Sequence, residues 1–188
     1  MYDILNKYAR RQMLRVGGVL PGVNHMLGLL HSAEGALPAL LRDEANWKSV
    51  FIEYHPPFVE RLWCEWFESR LYLHRIHPCN AGEALFHPHP WPSAIKVLEG
   101  SYEMGIGYGT GTTAPPIATC LILGAGSEYE MTDPDGWHYV RPLNAPSVSF
   151  MITGKPWARM SPKSDKPLFE LPPKKRREIL QFFRAVYQ

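Results

Sequence analysis

Turn residues punctuate this chain so often that long uninterrupted helices are excluded from most of it. The 188 residues include 18 prolines and 15 glycines, against a background of about 12% for the two together. They are scattered, not clustered, which favours many short strands joined by turns. Hydrophobic residues make up 45% and charged residues 20% of the chain, the balance of a folded globular protein and not of a disordered one. The length suits one domain with an elaboration.

Periodicity divides the chain into three zones. Residues 1–67 are expected to form a mostly helical extension, from Ile4, Tyr8 and the run Arg11 to Val16, then Ala36 to Leu41, then Val59, Leu62, Trp63 and Trp66. Trp47 to Tyr54 is ambiguous, because Val50, Phe51, Ile52 and Tyr54 also suit a strand. Residues 68–154 are expected to form a barrel of eight strands: Leu71 to His77, Leu85 to His89, Ala94 to Leu98, Tyr102 to Tyr108, Ala118 to Leu123, Ser127 to Met131, Trp137 to Arg141 and Ser147 to Thr153. Residues 155–188 join a Pro- and Lys-rich connector to an amphipathic helix. There Ile179, Phe182, Phe183 and Val186 share a face, and Pro173 suits the first turn.

Several function classes drop out on composition. The net charge of +2 comes with no long basic stripe, so no nucleic-acid partner is expected. Val16 to Leu30 is interrupted by Pro21, Asn24 and His25, so no membrane span or signal segment is expected there. The three cysteines, Cys64, Cys79 and Cys120, are far apart and show no C-x-x-C spacing, which argues for a reducing, cytoplasmic setting. The glycine-rich run Gly105 to Thr112 has neither phosphate-loop pattern and is expected to be a loop.

The chemistry concentrates in histidines. His87 and His89 stand two apart in H-P-H, so on an extended strand both rings project from one face, within reach of one ion. His138 follows a tight turn, D-P-D-G-W-H, and is expected to bring a third imidazole from another strand. His25, His31 and His55 are expected to be hydrogen-bonded core or surface residues, and of His74 and His77, on opposite faces of one strand, at most one can enter a site. Strand parity then turns Ser93, Ile95 and Val97 inward with His89, and Lys96 outward. On the next strand it turns Tyr102, Met104, Ile106 and Tyr108 inward and Glu103 outward. Trp91 and Trp137, beside the proposed ligands, are placed to wall a pocket, while Arg75 and Arg141 are expected to form ion pairs ahead of clamping a substrate.

From Leu71 to Thr153 the sequence resembles the cupin superfamily. Its first motif, an H-x-H pair followed by Glu and then Gly, is matched by His87-Pro88-His89, with Ser93 at the Glu position, and by Gly100. The second, P-x-G-x-x-H with a later Asn, is matched one residue shorter by Pro134-Asp135-Gly136-Trp137-His138, with Pro142 at the Asn position. A family glycine ahead of the first histidine has its counterpart in Gly82, displaced by one residue. The resemblance implies a double-stranded β-helix, or jelly-roll barrel, and one divalent metal ion on His87, His89 and His138. Relatives in which the Glu is replaced include three-histidine iron dioxygenases of thiols, diketones or aromatic acids, so Fe(II) is favoured over zinc or nickel. Three neutral ligands leave an ion its full positive charge and favour a small, anionic, chelating substrate.

The activity expected is therefore that of a mononuclear non-haem iron dioxygenase. Tyr102 and Tyr108 are the candidate catalytic residues, with Ser93, Ile95, Val97, Met104 and Trp91 in the substrate pocket. A zinc- or nickel-dependent hydrolase or isomerase, and a non-catalytic metal- or ligand-binding protein, are the alternatives. Exposed sheet edges make a homodimer compatible with the sequence.

Overall fold

A computed structural model describes residues 26–158 and 166–187. Helix α1, Met26–Leu40, is followed by a short 3-10 turn, Glu44–Asn46, and ten strands: β1 Lys48–Ile52, β2 Val59–Trp66, β3 Ser69–Ile76, β4 His87–Pro88, β5 Ser93–Glu99, β6 Ser101–Tyr108, β7 Thr119–Gly124, β8 Glu128–Met131, β9 Gly136–Pro142 and β10 Ser147–Thr153. Helix α2, Pro173–Val186, ends the description. The fold is mainly antiparallel β with one helix toward each end, as expected. The helix pattern proposed for Ile4 to Val16, and His25, lie outside the described residues.

Two sheets face one another. The larger has the order β1-β2-β3-β10-β5-β8 and the smaller β4-β9-β6-β7. They do not close into the expected barrel. Strand β4 is two residues long, and the prolines Pro88, Pro90 and Pro92 around it have no N–H to carry a ladder onward. The smaller sheet therefore ends there.

All eight strands expected between Leu71 and Thr153 are present, and two more precede them. Trp47 to Tyr54 resolves as β1. Val59 to Trp66, expected to be helical, is instead β2, paired antiparallel with both β1 and β3. The helical spacing of Val59, Leu62, Trp63 and Trp66 arises because β2 is covered on both faces. Val59, Arg61 and Trp63 face the smaller sheet, while Leu62, Cys64 and Trp66 join the core under the helices.

That core is where most apolar burial occurs. Met26, Leu30, Ala33 and Leu37 form one stripe of α1, and Ile179, Leu180 and Phe183 one stripe of α2. Both stripes pack on the outer face of the larger sheet, against Leu62, Leu71, Leu73, Phe150 and Ile152. Strand β10, between β3 and β5, is buried along its whole length, Ser147 to Thr153. Polar contacts pin the helices over it: Lys96 of β5 meets Glu34 of α1 at 2.7 Å, and Arg176 of α2 donates to the carbonyls of Glu44 and Trp47 at 2.6 and 2.8 Å. Val186, expected on the buried face of α2, is exposed. Gly100, the motif glycine, turns β5 into β6 at φ +76°, where a Cβ would lie 2.8 Å from the Pro146 carbonyl oxygen. No helix among the described residues is long and apolar enough to cross a membrane.

Phe150 has no exposed surface at the centre of the helix-covered face. Phe150→Ala should destabilise the protein by about 3–5 kcal/mol, whereas Ile122→Ser on exposed β7 should cost less than about 0.5 kcal/mol, both from denaturant midpoints. Equal losses would contradict this placement of the core.

Candidate metal centre

Strand pairing builds the site. Strand β4 pairs with β9 so that His87 stands directly opposite His138, and alternation along the extended H-P-H segment returns His89 to the same side. The three imidazoles converge: one ring nitrogen from each lies within 4.8 Å of the others. Nε2 of His138 is 2.9 Å from Nε2 of His89, and the rings of His87 and His138 are 5.1 Å apart.

Hydrogen bonds orient two of these rings. His87 Nδ1 is 2.9 Å from the carbonyl oxygen of Leu85, which can only accept, so Nδ1 carries the proton and Nε2 of the neutral ring keeps its lone pair. His89 Nδ1 is 3.4 Å from Ser93 Oγ. Ser93 is fully buried behind His89 and steadies that ring from the position where the family motif carries a carboxylate. Nδ1 of His138 is buried without a partner, and the ring is held through Nε2 against His89.

Protonation favours metal binding. Burial drives His89 and His138 well below the usual imidazole value, helped by His87. Burial likewise lowers His87 to about 4, against the backbone hydrogen bond to Leu85 that acts in the other direction. All three are neutral at pH 7, and the one proton shared between Nε2 of His89 and Nε2 of His138 has only to move to the other nitrogen of its ring for both to face an ion with lone pairs. The donor set, the convergence of the nitrogens and their protonation state all fit one divalent transition-metal ion.

The histidines open into a cavity of about 210 Å³ between the two sheets. Trp91, Ile95 and Tyr102 line it. Val97 and Met104 are buried with Tyr102 in an adjoining cluster between the sheets and do not reach the cavity. Tyr108 does not enter it either: it is the last residue of β6 and 60% exposed, still opposite Gly136 of β9 but past the end of the pairing with β7, where the strand gives way to the glycine-rich loop. Arg75 and Arg141 form ion pairs, with Glu60 and Glu178 and with Glu103 respectively.

Four cavity groups were not assigned to the site from the sequence. His74 of β3 lines the cavity while His77 faces Glu60, the outcome parity allowed. His55, expected to be a bland core or surface residue, lies on the wall with its ring 6.4 Å from that of His87. Tyr129 of β8 accepts a hydrogen bond from the Tyr102 hydroxyl at 3.0 Å, and burial raises both phenols, Tyr129 to about 12, so both remain protonated donors. Arg61 of β2 also faces inward. Only its two-residue alternation with Val59 and Trp63 signals this, and that signal is visible only once β2 is known to be a strand.

No protein-family model matches the sequence, and no curated protein matches it. Among solved structures, hydroxypropylphosphonic acid epoxidase from S. wedmorenis aligns with a TM-score of 0.44 and 12% identity over 56% of this chain and 55% of that one. KdgF from Halomonas sp. gives 0.41 and 12% over 56% and 87%, and the DMSP lyase DddQ from Ruegeria pomeroyi DSS-3 gives 0.38 and 16% over 50% and 42%. The chain spans about half the length of the epoxidase. These likenesses are too distant to assign chemistry, which rests on the side chains of this chain.

A histidine with a lowered folded pKa binds a proton more readily when unfolded. Its neutral burial costs nothing extra above about pH 6.5, and stability falls as pH drops from there toward the folded value, about 4 for His87. Metal-free protein should therefore lose stability between pH 7 and 5, and His87→Gln should remove on the order of 1–2 kcal/mol of that loss in paired urea titrations. An identical pH dependence in the variant would show that His87 is not held neutral by burial.

Proposed function

We propose that this chain is a metal-dependent cupin holding one divalent ion on His87, His89 and His138, and that it acts as a mononuclear non-haem iron oxygenase on a small anionic chelating substrate. The observation that carries the reading is the convergence of three neutral imidazoles on a cavity whose lining contains no aspartate or glutamate. The H-P-H and D-G-W-H motifs that resemble the cupin signatures are the same residues, which supports the family reading from a second direction. Bound there, Fe(II) would supply redox chemistry toward dioxygen and positive charge toward a chelating anion.

The chain supplies orientation and a water-poor enclosure. Ile95, Val140, Met151 and Trp91 give the cavity apolar walls that restrict water around the histidines and strengthen electrostatic contacts inside. Since the Tyr102 hydroxyl is directed at Tyr129, the Tyr129 proton is the one offered onward to a ligand oxygen. That shifts the positioning role expected of Tyr102 to the tyrosine pair.

A three-histidine donor set also suits zinc with an activated water, hence a hydrolase or isomerase. The two readings separate in one assay. Tag-free protein loaded with Fe(II) should consume dioxygen when offered small acids, thiols or diketones, and His138→Ala should lower that rate by at least about 100-fold while remaining folded. Turnover of the same compounds with zinc under anaerobic conditions would overturn the oxygenase reading in favour of the hydrolase or isomerase.

A further inference from the structure

The cavity contains a second built feature, separate from the histidine trio. Arg61 of β2 stands opposite His74 of β3, which stands opposite Ser149 of β10, so one row of the larger sheet presents all three inward. The Arg61 Nε donates to His74 Nε2 at 2.8 Å, and the guanidinium carbon lies 5.2 Å from the centre of the Tyr72 ring. Tyr72 in turn stacks on His74. By accepting from Arg61, Nε2 of His74 must be unprotonated, so His74 is neutral and contributes no opposing charge.

No carboxylate among the described residues pairs with this guanidinium. The cavity lining includes Arg61 and five histidines but no acidic residue. The other partly buried arginines among the described residues are all neutralised or directed at backbone: Arg70 to Glu65, Arg75 to Glu60 and Glu178, Arg141 to Glu103, Arg184 to Leu41 and Glu44, Arg176 to Glu44 and Trp47. Arg61 is only partly buried, and a guanidinium partly withdrawn from water with no carboxylate beside it is poised to pair with an anionic ligand. With Nε held by His74, the terminal nitrogens Nη1 and Nη2 remain as a planar fork, the geometry that matches the two oxygens of a carboxylate.

We propose that Arg61 is the specificity-determining residue of the cavity and receives, end-on, the carboxylate of a small organic acid, with His74 and Tyr72 holding the guanidinium in place. The body of that acid is apolar, because Ile52, Val59 and Ile76 form the surrounding wall. It is also small, since about 210 Å³ lies below the range of drug-sized pockets, roughly 300–1,000 Å³. The inference deepens the reading of the cavity as a substrate site and names the acid class, but it does not depend on a metal.

Calorimetric titration with benzoate and its uncharged isostere benzamide tests this, on chelator-treated full chain and again with one equivalent of Zn(II). Failure of the histidines to hold metal leaves the chelator-treated titration unaffected, so the two proposals fail separately. In metal-free wild type benzoate should bind at least roughly tenfold tighter than benzamide and than inorganic phosphate. Arg61→Met should lose at least roughly tenfold in benzoate affinity, and Arg61→Lys should retain the preference for benzoate over benzamide at weaker affinity. The wild-type ratio of benzoate to benzamide needs no variant and stands even if Arg61→Met does not fold. Equal binding of benzoate and benzamide, no detectable benzoate binding, or folded Arg61→Met binding benzoate as wild type does would each overturn the proposal. Preference for phosphate over benzoate would overturn the carboxylate assignment.

Discussion

The pairing of β4 with β9 sets His87 opposite His138, and the site depends on that register. A slip of one residue in either strand would turn one ring to the other face of the sheet and disperse the trio. Very little ladder holds the register, since β4 is only two residues long. What fixes it is the rest of the smaller sheet: β9 is paired along its whole length with β6, from Tyr102 opposite Pro142 to Tyr108 opposite Gly136. The longer strand supplies the rigidity, and the short, proline-bounded one brings two histidines to its edge.

The two faces of the larger sheet divide the remaining work. Its outer face, under α1 and α2, carries the continuous apolar core and most of the burial that stabilises the fold. Its inner face need not be equally apolar, and it carries Arg61, His74 and Ser149 in one row, with Trp63, Tyr72, Met151, Ile95 and Tyr129 in the next. Polar groups on that inner row are costly for stability unless hydrogen-bonded. The Arg61–His74 bond meets part of that cost, and the charge left over is the basis of the proposed carboxylate site. One arginine thus shares the cavity with the three convergent imidazoles.

Much of this was legible in the sequence where one periodicity dominated. From Leu71 onward the turn residues separate strands cleanly, and alternation correctly turned Ile95 and Tyr102 inward and Lys96 outward, to Glu34. The histidine trio was legible because H-P-H fixes two rings on one side whatever the fold around them. Strand β2 was not, because a strand buried on both faces loses the alternation that identifies it, and its apolar residues happened to fall at helical spacing. Arg61 was lost with it: without a strand there, nothing marked that arginine as facing inward. Tyr108, expected inward, is exposed at the last position of β6, since parity assigns a face and not where the neighbours that cover it stop. Closure of the sheets was overestimated for a related reason. Strand count suggests a barrel, but the prolines flanking β4 leave no donors with which to complete one.

The central claim is that His87, His89 and His138 together hold one divalent ion. X-ray absorption at the zinc edge, on tag-free protein loaded with one equivalent of zinc and compared with His89→Ala, tests it most directly. The account predicts three imidazole nitrogens at about 2.0–2.1 Å in the wild type and loss of one of them, or of the metal itself, in the variant. An identical spectrum and full occupancy in His89→Ala would contradict it.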